Sequence, residues 1–324
     1  MKKIICMTLC ILMVVACVAC GEKAPETLKY GFGVYTATPS ATDAAEKDGQ
    51  GKVAITGAVV TVDAEGKIVA CTLDTADITV KYTAEGKAIA NDAFKTKYEM
   101  GNDYNMKAYG GAALEWYEQA DAFEKVVSGK TLNEVKALVA EGNKGTEEVI
   151  SAGCTIMVNE FVGAIEKAYH NAAASNVTAD DTLKLGVFTA QTCADATEEK
   201  NGQNKVETTF FAAAVNAEGA IVAASSDCVQ VSFTFDAAGA TTFDTTKAIL
   251  SKGEQGNGYN MKAYGGAALE WYEQAAAFDK ACVGKKPADI ASFMGADNYG
   301  TADIKGVGCT ILVDGFVKAA AKIG

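Results

Sequence analysis

One segment that occurs twice in the chain combines glycines with aromatic side chains, residue types that can bind planar and anionic ligands. Residues 104–125 and 259–280 agree at 20 of 22 positions, with an offset of 155. The glycine pair in each copy is predicted to open a helix, where backbone N–H groups can approach an anion or a ring. The ligand candidates are Tyr109, Gly110, Gly111 and Trp116, and their copies Tyr264, Gly265, Gly266 and Trp271. The alternative is a turn followed by an aromatic stripe that belongs to the core.

A second repeated element places a threonine before the last helix of each copy. It reads Gly153-Cys154-Thr155 in the first copy and Gly308-Cys309-Thr310 in the second. The pattern predicts a short strand, 154–158, and then a helix over 160–169 capped by Asn159. A threonine at this point would lie near a helix N-terminus, which favours a phosphate. The alternative is that both threonines are ordinary strand residues.

Composition excludes several classes of function. The 324 residues carry 29 Lys plus Arg against 41 Asp plus Glu, a net charge of -12, and every basic residue is lysine. An acidic chain without arginine would repel nucleic acid and lacks the forked donors that grip phosphates and guanines. The single histidine, His170, is expected on the surface, and neither a metal site nor a Walker loop, HExxH or GxSxG motif occurs. Whether the protein is an enzyme stays open, although acid–base catalysis by its side chains is not expected.

The N-terminus has the features of a lipoprotein export signal. Lys2 and Lys3 precede an apolar run, 4–18, which is short for a membrane span but suits a secretory signal. Cys20, followed by Gly21, resembles a lipidation site, and Cys17 is the alternative. We therefore expect a signal peptide over 1–20, a tether over 21–27, and an extracytoplasmic protein held at the membrane by its lipid. The six later cysteines, with no CxxC, favour free buried thiols over a disulfide framework.

The duplication defines the domain organisation. We predict a first repeat over 28–172, a linker over 173–182 and a second repeat over 183–324. The offset of 155 also aligns Leu28-Lys29 with Leu183-Lys184. In the first repeat, 52–62 and 67–73 read as a hairpin around the turn 63–66, and 77–83 as one further strand. Helical spacing from Ala113 to Val127, a capping box at 131–134 and the last helix complete an α+β unit with an antiparallel sheet.

This order of elements resembles the FMN-binding domain of extracytoplasmic flavoproteins. In that family a Ser-Gly-Ala-Thr motif precedes the last helix, and FMN phosphate is esterified to its threonine. The resemblance therefore implies FMN at Thr155 and Thr310, with Gly153 and Gly308 in the motif. The chain departs from the motif, because Ala152 and Val307 replace the serine and cysteine replaces the alanine. Covalent flavin, non-covalent flavin and loss of flavin all remain open.

Two functional hypotheses follow. The first is an electron-transfer carrier that holds FMN near Thr155 and Thr310 and exchanges electrons with a redox partner protein. The second is a cofactor-free surface lipoprotein that binds a small solute or a protein partner between its repeats. The second hypothesis predicts that the glycine–aromatic surface of each repeat is buried against the other repeat.

Overall fold

The computed structural model describes residues 26–324, so the predicted signal peptide, Cys17, Cys20 and most of the predicted tether lie outside the described residues. The described chain is an α+β protein with antiparallel sheets, as expected. None of its helices is long and apolar enough to cross a membrane.

The first repeat forms a sheet and six helices. The strands are β1 (Lys29–Thr36), β2 (Ser40–Thr42), β3 (Gly49–Val62), β4 (Ile68–Tyr82), β5 (Ala88–Ile89) and β6 (Ala173–Ala174). The helices are α1 (Lys97–Met100), α2 (Met106–Gly110), α3 (Trp116–Val127), α4 (Leu132–Lys136), α5 (Glu147–Ser151) and α6 (Asn159–His170). The sheet order is β5-β4-β3-β1-β6, with the short β2 also paired to β3.

The second repeat follows with three strands and five helices. They are β7 (Thr182–Ala194), β8 (Gly202–Val215), β9 (Ile221–Phe235), α7 (Lys252–Gln255), α8 (Met261–Gly265), α9 (Trp271–Cys282), α10 (Ala302–Gly306) and α11 (Asp314–Ala320). Its sheet order is β7-β8-β9.

The predicted hairpin is confirmed, but the separate strand over 77–83 is wrong. Gly66 has a φ of 79° and closes the turn, and Asp63 N donates to Lys67 O at 2.9 Å. Beyond the turn, β4 continues as one strand to Tyr82 and pairs with β3 along its length, with a single β-bulge at Val69. The expected extra strand is therefore the far end of β4, because β3 begins at Gly49 and is long enough to pair with all of it.

Strand register corrects the alignment of the first strands. Val62 pairs with Lys29 in the first repeat, and its equivalent Val215 pairs with Thr182 in the second. Lys29 therefore corresponds to Thr182, an offset of 153, and not to Lys184. This register also aligns 33–37 (GVYTA) with 186–190 (GVFTA).

The molecule has four layers, in which the two sheets face each other and the helices cover their outer faces. Phe32 and Phe210 meet between the sheets, with ring centroids 6.2 Å apart, inside a core supplied by both repeats. Separate cores lie between each sheet and its own helices. The central strands are buried on both faces, which explains their continuous apolar runs.

Reciprocal ion pairs join the repeats at the edges of the facing sheets. Lys322 pairs with Glu99 at 2.6 Å, and Lys167 pairs with Glu254. Adding 155 to Glu99 and Lys167 gives Glu254 and Lys322, so each ion pair is the counterpart of the other. The repeats therefore present equivalent surfaces to each other. The segment 173–182, expected as a linker, is integrated into the fold, because β6 pairs with β1 and Leu28 N donates to the carbonyl of the buried Val177.

Candidate functional site

A buried glutamine holds Thr310 in place. The backbone N and Oγ1 of Thr310 both donate to Gln274 Oε1, at 2.8 and 2.9 Å, while Gln274 Nε2 donates to the Leu269 carbonyl at 3.0 Å. Gly308 has a φ of 108°, which turns the chain so that Cys309 enters the core and Thr310 is exposed. A threonine hydroxyl fixed at a surface in this way can face a ligand.

The first repeat builds the same arrangement. Thr155 N and Oγ1 donate to Gln119 Oε1 at 2.8 and 3.0 Å, and Gly153 has a φ of 110°. The glutamine sites were not predicted from the sequence. The feature that could have indicated them is their position in the duplicated helix. Both glutamines lie on its buried face among apolar residues, where a side-chain amide needs hydrogen-bond partners.

Two expectations about this element are wrong. Residues 154–158 do not form a strand, because the Thr155 N–H bonds the Gln119 side chain and only Met157 makes an isolated bridge, to Lys144. Asn159 does not cap the last helix but is its first residue; Val158 precedes it, and no side chain caps the helix. Asn159 Oδ1 is buried and has no partner among the described residues.

The glycine pairs end a short helix and do not open one. In the second repeat α8 ends at Gly265, and Gly266 follows with a φ of 64°. The buried Glu270 closes this loop, accepting from Met261 N at 2.8 Å and Lys262 N at 3.3 Å. Gly110 and Gly111 end α2 of the first repeat in the same way.

The aromatic candidates separate into two groups. Tyr109 and Tyr264 are each 89% exposed, whereas Trp116 and Trp271 are buried in the helix–sheet cores. No atom lies within 4 Å of a Cβ built on Gly110, Gly111, Gly265 or Gly266. The expectation that the glycine–aromatic surfaces are buried between the repeats is therefore wrong, because the repeats meet through their sheets.

A cleft in the second repeat brings three of the candidates together. Thr310, Gly265 and Trp271 line a space of about 600 Å³ between the outer face of the sheet and the loops that cover it. Such a volume is in the range of small-molecule sites. The other lining residues include aromatic and apolar groups from the strand β7, the helical loops and the start of α11: Phe188, Tyr259, Met261, Tyr299, Ile311, Leu312 and Phe316. Tyr264 and Gly266 are not among the lining residues.

Two lysines and one glutamate occupy the sheet side of the cleft. Lys252 Nζ lies 2.9 Å from Glu207 Oε1, and Lys205 Nζ lies 3.2 Å from Glu207 Oε2. Burial raises the pKa of Glu207. The hydrogen bond and charge of Lys252 and the charge of Lys205 lower this pKa by more than burial raises it, so the net shift is downward. The pKa of Lys252 is raised: burial lowers it, but the electrostatic interaction with Cys228 and the hydrogen bond and charge of Glu207 outweigh that effect. Lys205, Lys252 and Glu207 together therefore carry one net positive charge at neutral pH. Asp314 also lines the cleft, and it pairs with Lys318 at 3.3 Å.

Lys252 is held against aromatic rings as well. Its side chain is 9% exposed, and Nζ lies 5.4 Å from the ring centroid of Tyr259 and 5.7 Å from that of Trp271. A cation held this way keeps its charge in a site with little water. The arrangement suits a ligand that combines a planar ring with an anionic group.

The first repeat places a carboxylate at the corresponding position. Glu160 of α6 corresponds to Gly315 of α11, which lines the cleft. Burial raises the pKa of Glu160, and Lys97, Asp77 and Thr56 also act on it. Lys97 corresponds to Lys252 and lies 3.6 Å from Asp77. Ala54 corresponds to Glu207, so the acidic groups near this lysine come from different positions in the two repeats.

Other expectations have clear outcomes. All six cysteines after residue 26 are free, five of them buried and Cys193 exposed, so the prediction of free thiols is confirmed. The His170 side chain is 66% exposed, as expected. Within residues 26–324 no group of three or more His, Cys, Asp or Glu side chains could hold a metal ion.

Comparisons with protein-family models, curated proteins and solved structures find no match to this chain. The assignment of a function therefore depends on the geometry of the cleft.

Proposed function

We propose that the protein is a lipid-anchored extracytoplasmic carrier that binds flavin mononucleotide in the cleft of the second repeat and takes part in electron transfer. One observation carries the proposal: the cleft of about 600 Å³ joins Thr310, Trp271 and Gly265 to a lysine pair with unbalanced positive charge. FMN combines a planar ring system with a phosphate, which are the two chemical features that this cleft can recognise.

The residues present fit the cofactor. Aromatic and apolar side chains give the ring system apolar surface to cover, and Lys205 and Lys252 supply the positive charge that a phosphate needs. Thr310 presents its hydroxyl at the surface of the cleft, where the resemblance to the FMN-binding family expects attachment. Thr155 keeps the same local geometry in the first repeat and is the second candidate for attachment.

The division of labour is that of a cofactor protein. Bound FMN would supply one- and two-electron chemistry, while the chain supplies position, charge and protection from water. The lipid at Cys20, or at Cys17, would hold the carrier at the bilayer surface within reach of a redox partner protein. No acid–base step by a side chain is needed for this role.

The test is the visible spectrum and the intact mass of the mature protein purified from its own membranes. Flavin absorbance with FMN-sized mass increments supports covalent carriage, and absorbance without added mass supports non-covalent binding. The Thr155→Ala, Thr310→Ala double variant separates the two, since covalent increments disappear only if these threonines carry them. A colourless native protein that carries only its lipid refutes the flavin proposal.

A second candidate function is binding of a small anionic solute without a cofactor in the same cleft. Val307, which is 54% exposed, replaces the serine of the flavin-attachment motif and favours this candidate over covalent flavin. A colourless protein whose cleft binds a small anion would support it.

A further inference from the structure

The cleft of the second repeat and the corresponding region of the first share their frame and differ on their inner surface. In both repeats a glutamine fixes the threonine, a glutamate closes the glycine loop, and a lysine lies over the tryptophan ring, at 5.8 Å in the first repeat and 5.7 Å in the second. The lining differs at several positions, among them Gly315, which is Glu160 in the first repeat, Glu207, which is Ala54, and Asp314, which is Asn159.

Geometry shows where a side chain at this helix position would go. A Cβ built on Gly315 would lie 2.7 Å from Thr209 Oγ1, so this helix position points at the sheet and the glycine lets the helix lie directly against it. Thr209 corresponds to Thr56, one of the groups that act on the Glu160 carboxyl. In the first repeat Glu160 therefore places a carboxyl against the sheet at a position where the second repeat has no side chain.

Charge differs in the same sense. In the second repeat, the carboxylate beside the buried Lys252 is Glu207, whereas Asp314, which also lines the cleft, pairs with Lys318. In the first repeat, two carboxylates, Asp77 and Glu160, lie near the equivalent Lys97. The lysine of the first repeat therefore has a second anionic neighbour that Lys252 lacks.

We infer that the two repeats have different roles: the second binds an aromatic ligand with an anionic group, and Glu160 acts as a built-in anion that closes the corresponding site of the first repeat. This inference rests on the proposed function for its ligand class, but it makes a separate statement about stoichiometry. Mature protein binds one ligand per chain. Removing Glu160 leaves Lys97 with Asp77 as its carboxylate neighbour, as Lys252 has Glu207, and opens a second site.

The experiment is equilibrium dialysis of the mature protein in detergent against FMN, and separately against AMP, an aromatic phosphate that is not a flavin. Lys205→Glu is the test variant, and Lys52→Glu is the matched control at the equivalent, exposed position. We expect Lys205→Glu to weaken binding roughly tenfold or more, which is about 1.4 kcal/mol, and Lys52→Glu to leave it unchanged. Both lysines lie near the surface, so neither change should prevent folding.

Glu160→Gly is the second arm, with Gly315→Glu as its reciprocal. We expect the first variant to bind two ligands per chain and the second to bind none. Because a side chain at position 315 would contact Thr209, a thermal melt is used first to establish that Gly315→Glu is folded. If this variant does not fold, the test depends on Lys205→Glu. Protein that already carries covalent FMN is scored by peptide mass, which should place the cofactor on Thr310 and not on Thr155.

The outcomes separate the two proposals. If AMP binds once per chain and FMN does not bind, the result refutes flavin carriage and supports the different roles of the repeats. FMN bound twice per unaltered chain supports flavin carriage and overturns the role of Glu160. Three other results also overturn the different roles of the repeats. These are equal weakening of binding by Lys205→Glu and Lys52→Glu, no binding of either probe, and one ligand still bound per chain after Glu160→Gly.

Discussion

Asp279 is a buried carboxyl whose replacement by asparagine should change the pH dependence of stability. It lies on α9 against the sheet and accepts hydrogen bonds from the backbone N of Ser226, at 2.8 Å, and from the Ser226 hydroxyl. Burial raises its pKa from 3.8 to about 7, although the two Ser226 hydrogen bonds lower it. In Asp279→Asn the amide oxygen can accept from Ser226 N, and the amide NH₂ can donate to Ser226 Oγ. The hydrogen bonds are retained, and the ionisation is removed.

The sign and size of the effect follow from linkage. The folded state keeps the Asp279 proton up to about pH 7, whereas the unfolded chain has lost it by about pH 5, so the folded state binds more protons between these values. Its contribution to stability is complete below the unfolded pKa and is lost as the pH rises through the folded pKa. Two pH units at about 1.4 kcal/mol each give a loss of about 3 kcal/mol between about pH 5 and pH 7.

The assay is urea denaturation of the mature protein and of Asp279→Asn at several pH values across this range. The variant should lose less stability on going from about pH 5 to pH 7, by about 3 kcal/mol. Glu124→Gln is the matched variant at the equivalent position of the first repeat, where burial raises the pKa of Glu124 to about 8 despite a hydrogen bond from Leu73 N. An unchanged pH slope in both variants would show that these carboxyls are ionised in the folded state and would refute the reasoning.

Three further predictions concern the frame of the site and the core. Gln274→Ala removes both hydrogen bonds to Thr310, so it should lower the free energy of unfolding by about 1–3 kcal/mol and also weaken FMN binding. Gln119→Ala, the equivalent change in the first repeat, should lower stability and leave FMN binding unchanged. Urea denaturation measures the first effect and equilibrium dialysis the second. Phe278→Ala empties a fully buried position beside Phe316 and should cost about 3–5 kcal/mol in urea denaturation; a loss below 1 kcal/mol would contradict the packing. Cys193 is the one exposed thiol among the described residues, so a thiol reagent should label its peptide in the native protein well before those of the buried cysteines; equal labelling would contradict the fold.

Local signals in the sequence were sufficient for the elements that are stabilised by their own residues. The turn at 63–66 and the capping box at Thr131 and Glu134 depend on backbone angles and hydrogen bonds within a few residues, and both are present in the structure. The α+β class follows from the change of period between strands and helices. These features do not need tertiary contacts to be recognised.

Elements that depend on distant partners could not be predicted in the same way. The strand expected over 154–158 fails because the Thr155 amide bonds a side chain 36 residues earlier, in Gln119. The sequence predicts the glycine pairs at the start of a helix, because the pattern does not show that Glu115 and Glu270 close the preceding loop by binding its backbone amides. The four-layer arrangement was also out of reach, since the strands read as buried on both faces without showing what covers them.

The near identity of the duplicated segment acquires a physical meaning in the structure. Glu270 and Gln274 lie in that segment, and each binds backbone that the cleft needs: the glutamate holds the glycine loop and the glutamine holds Thr310. Their counterparts bind the same elements in the first repeat, so the identical segment maintains the frame of a site in both halves. The residues that differ, Glu160 and Gly315, lie outside this segment and face the sheet. If the frame alone determined ligand binding, both repeats would bind the ligand equally. A ligand found only in the second repeat would show that the inner surface of the cleft, and not the duplicated segment, determines specificity.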